Sequence, residues 1–144
     1  IRVGFLSAYF RRHSVGRLMQ GVIERLPKAL FEIVVITQPG QCDPIVRTIE
    51  AAADKTISIP AELSEAWSTI AAEELDILFY ADIGMDVRTY FLAFARLAPV
   101  QCVTWGHPDT TGIPNIDYFL SRGKFFSRDL AEFSKISTRL KKNN

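Results

Sequence analysis

Two histidines, His13 and His107, are the only imidazoles in the chain, and each stands at a junction where chemistry could be done. His13 follows Tyr9-Phe10-Arg11-Arg12 and opens an apolar helical pattern. The positive end of a helix disfavours a charged imidazolium, so a ring there can accept or relay a proton near neutral pH. The plainer alternative is an exposed ring beside a helix start, with Arg11 and Arg12 either steering a phosphate or simply solvated. His107 lies within Gly106-His107-Pro108-Asp109-Thr110-Thr111-Gly112. Glycine lets backbone approach a ligand closely and proline stiffens the exit, while Thr110, Thr111 and Gly112 offer hydroxyl and amide donors. Such a turn suits an oxygen-rich group, although it also reads as a tight loop and nothing more. The third candidate is Asp82, in Tyr80-Ala81-Asp82-Ile83-Gly84. Burying a carboxylate without partners is costly, so it either reaches a ligand at a strand end or holds the amides of the turn at Gly84.

These residues need a scaffold, and the hydrophobic pattern supplies one. Apolar runs at 2–8, 31–37, 56–59, 76–83, 100–105 and 117–121 read as six strands. Between them, Val15, Leu18, Met19, Val22, Ile23 and Leu26 recur at helical spacing and stop at Pro27. Asp43-Pro44 is a helix-start signature ahead of Ile45, Val46 and Ile49. A third helix carries Leu63, Ala66, Trp67, Ile70, Ala71 and Leu75, and Asp86 can cap a fourth that carries Val87, Tyr90, Phe91, Phe94 and Ala98 before Pro99. Strands and helices alternate, and the strands are continuous rather than alternating apolar runs. That combination predicts an open, doubly wound, mostly parallel α/β sheet with helices on both faces. In such a sheet ligands bind beyond the carboxyl ends of the strands, where the loops holding His13, Asp82 and His107 all emerge.

Composition excludes several classes. The 144 residues are 48% hydrophobic and 23% charged, as expected of one globular domain. No apolar run approaches the ~20 residues of a membrane span. Cys42 and Cys102 have neither metal-ligand nor redox spacing, and a reducing cytoplasmic setting is the expectation. Strand one is followed by Ser7-Ala8-Tyr9-Phe10 rather than a glycine-rich phosphate loop, and no His, Cys or carboxylate cluster has metal spacing. Residues 122–144 carry seven basic and two acidic side chains against ten and fourteen in residues 1–121, so the tail alone is basic. A solvated end explains that better than a nucleic-acid arm. The chain opens on Ile1 already in strand-like sequence, which suggests a piece of something longer.

At IRVGFLSAYF, HSVGRLMQ, DILFYADIGMD and RLAPVQCVTWGHPDTTGIPNIDYFLS the chain resembles the O-linked N-acetylglucosamine transferase and SPINDLY glycosyltransferases, bacterial branch included. Bacterial cytoplasmic protein N-glucosyltransferases are among the relatives. The resemblance covers about residues 1–121. It implies the Rossmann-like first lobe of a two-lobed (GT-B) catalytic region, preceded by helical tetratricopeptide-type repeats. It further implies metal-independent, inverting transfer of a sugar from a nucleotide donor, UDP-N-acetylglucosamine by expectation, to Ser or Thr of protein acceptors, or to Asn in some relatives. By the same resemblance His13 lines the cleft as a candidate base, and Gly106 to Gly112, with His107, Pro108, Thr110 and Thr111, approaches sugar and acceptor. Asp82 and Gly84 fall where relatives carry a polar-glycine turn. Tyr9 stands where many members have Asp, and His107 where animal enzymes have Tyr, which pulls the chain toward the bacterial branch and leaves the donor open. Residues 122–144 depart from the family and read as a divergent, truncated or frame-shifted end. With the second lobe outside this sequence, a non-catalytic remnant or docking domain is the alternative function.

Overall fold

The structure, a computed structural model, describes residues 1–40, 43–104 and 111–120. Six strands form one sheet: β1 (Arg2–Leu6), β2 (Glu32–Thr37), β3 (Lys55–Ser58), β4 (Ile77–Tyr80), β5 (Val100–Thr104) and β6 (Tyr118–Leu120). Their order is β3-β2-β1-β4-β5-β6, and every pairing is parallel. Helices α1 (Ser14–Arg25), α2 (Pro44–Ala52), α3 (Leu63–Ala71) and α4 (Val87–Leu92) supply the crossovers. This is the open doubly wound arrangement that the sequence predicts.

Side-chain alternation divides the core into two layers. Val3 and Phe5, Ile33 and Val35, and Ile77 and Phe79 face Val15, Met19 and Ile23 of α1 and Val46 and Ile49 of α2. Their neighbours Leu6, Val34, Ile36, Leu78 and Tyr80 point the other way, onto Ala66 and Ile70 of α3 and Leu92 of α4. A strand covered on both faces has no polar side to show, which is why its sequence is apolar throughout.

One element is shorter than the sequence suggests. The apolar spacing carries α4 to Ala98, but the helix ends at Leu92, with its last turn tightened by bonds from Ala93 to Tyr90, Phe94 to Phe91 and Ala95 to Leu92. The carbonyls that would continue it are taken elsewhere. The Asn115 amide donates to Phe94 (2.6 Å) and the Gln101 amide to Ala95 (3.1 Å). Val87, Phe91 and Phe94 are exposed, with Tyr90 making edge contacts to both phenyl rings.

Gln101 itself is fully buried and fully used. Its oxygen accepts from Leu97 N–H (3.0 Å) and the Tyr80 hydroxyl (3.4 Å), and its amide also donates to Asn115 (2.8 Å). A saturated polar group of this kind specifies one packing of the 95–97 and 113–117 segments around the start of β5.

The amino ends of the strands share a further device. An Asp just before β3, β4 and β6 accepts the backbone N–H of the adjacent strand: Asp54 from Ile33 (2.8 Å), Asp76 from Arg2 (2.7 Å) and Asp117 from Gln101 (2.7 Å). Each clasp fixes the register of a parallel pair where no hairpin can do so. The outer strands differ in character. β3 presents Lys55, Thr56 and Ser58 to solvent, whereas β6 exposes Tyr118 and Phe119.

Candidate functional site

Strand order reverses between β1 and β4: the chain winds outward from β1 to β3, then returns to lay β4 on β1's other side. Crossovers diverge at that point, leaving a crevice beyond the carboxyl ends of the two strands. The loops that open there are Ser7–His13 and Ala81–Asp86, so the topology brings His13, Asp82 and Gly84 to one place.

The first loop is held from several sides. Asp82 Oδ2 accepts the Ala8 N–H (2.8 Å), and the Tyr9 hydroxyl donates to the Met85 carbonyl (3.0 Å). Asp43, the cap of α2, accepts the Arg12 N–H (3.1 Å) through one oxygen and that of Ile45 (2.8 Å) through the other. Beneath the loop lies Gly16, where any Cβ would collide with the backbone of Arg11 and Tyr9. Absence of a side chain in the first turn of α1 thus lets the loop fold back onto the helix that it precedes.

His13 caps α1. Its Nδ1 accepts the Val15 N–H at 3.3 Å, and its ring lies 4.7 Å from that of Tyr9. A nitrogen that accepts a hydrogen bond carries no proton, so the neutral ring bears its proton on Nε2. Nε2 has no partner among the described residues. The Arg11 guanidinium sits 5.0 Å from the Tyr9 ring centroid.

The second loop is a tight turn, with Met85 N–H bonded to the Asp82 carbonyl (3.0 Å) and Gly84 at φ +94°, a conformation that favours glycine. Asp82 is completely buried. Burial pushes its carboxyl up to about 7. The Ala8 amide pulls the other way, the Ser7 and Thr89 hydroxyls lie close enough to favour the charged form, and the charge of Asp86 opposes it. None of these closes a bond on Oδ1, which is shut from solvent without a partner among the described residues. Asp86 caps α4 through Thr89 N–H (2.9 Å) and accepts from the Gln38 amide (3.1 Å), tying the end of β2 to the same rim.

Gly106, His107, Pro108 and Thr110 lie outside the described residues. They follow in sequence after Thr104, the end of β5, whose buried hydroxyl has no partner among the described residues. On the far side Thr111 Oγ1 accepts the Ile113 N–H (3.2 Å), Gly112 takes φ +63° with open space where a side chain would stand, and Ile113 anchors the return in the core.

Four contributors to this site carried no role in the sequence reading. Gly16 and Ser7 shape the first loop, Gln38 braces the second, and Tyr9 stood out only as a departure from the family. A glycine one turn into an amphipathic helix was the one visible signal, because it sacrifices helix propensity for proximity. The buried thiol of Cys102, pushed up to about 12 by desolvation and the charge of Asp117, is inert. Among the described residues no three His, Cys, Asp or Glu side chains gather as a metal-holding group, and no helix is long and apolar enough to cross a membrane.

No protein-family model matches the chain. Over 67 residues, 46% of the chain, it is 37% identical to a UDP-glucose:protein N-beta-glucosyltransferase of Actinobacillus pleuropneumoniae serotype 7 (strain AP76), and 36% identical to its counterpart in serotype 5b (strain L20). The match covers 11% of either relative. Among solved structures it superposes on a mutant form of the Thermobaculum terrenum O-GlcNAc transferase with a TM-score of 0.73 and 27% identity, over 83% of this chain and 23% of that one. In fold and in sequence alike the chain resembles protein glycosyltransferases of the O-GlcNAc transferase type.

Proposed function

We propose that this chain is the acceptor-side lobe of a protein glycosyltransferase that moves a sugar from a nucleotide donor onto a protein side chain. The superposition over 83% of the chain carries the reading, together with this chain's own parallel sheet and its switch-point crevice. Opposite that crevice, a second lobe outside residues 1–144 would grip the nucleotide, and helical repeats ahead of residue 1 would present the protein acceptor in a cytoplasmic setting.

The reaction is an in-line displacement. An acceptor oxygen or nitrogen forms a bond to the anomeric carbon, the bond from that carbon to the diphosphate oxygen breaks, and the diphosphate leaves with the electron pair. The acceptor proton passes to a base or to solvent. His13 works through Nε2. With Nδ1 engaged by the helix, Nε2 presents an N–H that can hold a sugar or phosphate oxygen, and taking up a proton on Nδ1 would break the cap. Gly84, Thr111 and Gly112 shape the rim around the sugar, with Gly106, His107, Pro108 and Thr110 completing it, while Asp82 holds the His13 loop by the Ala8 amide.

UDP-N-acetylglucosamine onto Ser or Thr is the preferred donor and acceptor pair. UDP-glucose onto Asn is the second reading, favoured by the 37% identity to N-glucosyltransferases. In the complete polypeptide, turnover with each donor on Ser/Thr and Asn peptides decides between them. Loss of a hundredfold or more in His13→Ala and His107→Ala supports the site assignment. Turnover within a fewfold of wild type in both variants rejects it, and no transfer from any donor leaves a docking domain.

A further inference from the structure

Tyr9 occupies a position of unusual leverage. Its ring lies 4.7 Å from the His13 imidazole at an interplanar angle of 39°, its hydroxyl reaches across the crevice to the Met85 carbonyl at 3.0 Å, and its N–H is held by Ser7 Oγ at 2.9 Å. Its carbonyl accepts the Arg11 N–H at 2.7 Å, over the bare face of Gly16. Backbone, hydroxyl and ring are therefore each committed, to three different parts of the rim. Tyr9 thereby joins His13 to the β4–α4 loop.

We infer that Tyr9 is the positioning residue of this site: it clamps the His13 ring in the tautomer with Nε2–H free and locks the two crevice loops at a fixed separation. The physical reason is geometric. The Val15 N–H to Nδ1 bond is long, at 3.3 Å, and a bond of that length does not by itself fix a ring against rotation about χ2. A second contact on the ring face removes that freedom, and the hydroxyl bond to Met85 prevents the tyrosine from following the imidazole outward. The role rests on the proposed function, in which Nε2 faces a ligand oxygen, but the clamp itself can be tested without ligand.

Long-range 15N–1H spectra of the full chain report ring tautomers directly, and with two histidines the His13 set is assigned by its loss in His13→Gln. Wild type is expected to show widely separated Nδ1 and Nε2 shifts with the proton on Nε2. Tyr9→Phe keeps the ring contact but loses the Met85 bond, so its two shifts should draw together only in part. Tyr9→Leu keeps bulk without the aromatic face, and Tyr9→Ala removes both. In these two the shifts should draw together as the ring samples both tautomers. An unchanged pattern in folded Tyr9→Leu overturns the clamp, and if Tyr9→Ala fails to fold, Tyr9→Leu alone decides. In the complete enzyme, Tyr9→Leu should raise KM about tenfold with a smaller change in kcat, as loss of one oriented hydrogen bond would. Merged tautomers without any change in transfer leave the clamp standing and remove the glycosyltransfer reading of His13.

Discussion

The two rims of the sheet are built on opposite terms. At the amino ends, Asp54, Asp76 and Asp117 each clasp the next strand, Glu73 accepts from both Lys55 and Arg2, and Gln101 is saturated. At the carboxyl ends, Asp82 is buried with one oxygen orphaned, Thr104 keeps an unpartnered hydroxyl, and glycines at 84 and 112 hold left-handed conformations. Among the described residues the first rim has its carboxylates clasped, with only Arg2 Nε buried there without a hydrogen bond, 3.5 Å from Glu32, and Glu74 at positive φ, whereas the second keeps an orphaned carboxylate oxygen and hydroxyl beside the crevice. The contrast teaches where stability was secured and where it was given up for a crevice able to take a ligand.

The sharpest way to break that contrast is at Gln101. Gln101→Leu strands the buried Leu97 amide and leaves the half-buried Ala95 and Asn115 carbonyls without their donor, and should cost on the order of 4 kcal/mol in denaturant unfolding. Next comes Gly16→Val on the other rim. Its side chain meets the Arg11 and Tyr9 backbone, so the first loop must lift, costing about 3 kcal/mol and perturbing the His13 ring signals before the sheet amides.

Asp82 sharpens the comparison through pH. Its folded pKa lies near 7, above its ordinary value of 3.8, so the folded protein keeps a proton that the unfolded chain releases in that interval. The stability that it contributes is full below about pH 4 and is lost as pH rises through about 7. Asp82→Asn should therefore be more stable than wild type at about pH 8, with the advantage vanishing below about pH 4. A pH-independent difference in urea midpoints would show that the carboxyl is not the orphan it looks.

The smallest effect belongs to Asp54. The Ile33 amide, then the Lys28 ammonium, holds its carboxyl below the usual range. Its contribution is present above the ordinary carboxylate value and lost as pH falls through the depressed one, the reverse of Asp82. Asp54→Ala should cost about 1 kcal/mol at neutral pH without touching transfer, as thermal melts and turnover would show.

How much of this was legible beforehand follows from what periodicity can encode. Strands buried on both faces announce themselves, so the order of elements and the parallel sheet were open to reading, and Asp43-Pro44 and Asp86 marked helix starts that the structure keeps. Hidden from the sequence were side chains reaching across it. The early end of α4 depends on Asn115 and Gln101, more than five residues downstream, and the clamp at His13 depends on a hydroxyl bonded to Met85, 76 positions away. Asp82 fell between the two cases. Its burial could be expected from its apolar neighbours, but the amide that it holds could not.

The flanks of the sheet carry a practical consequence. Lys55 on β3 discourages another chain from adding there, whereas β6 offers Tyr118 and Phe119 beside backbone with no further strand among the described residues. Among the described residues this is the adhesive flank of the sheet, and concentrating the chain in solution is expected to join copies along that side first. Phe119→Lys is the mild remedy, placing a charge on that edge as Lys55 does on the other.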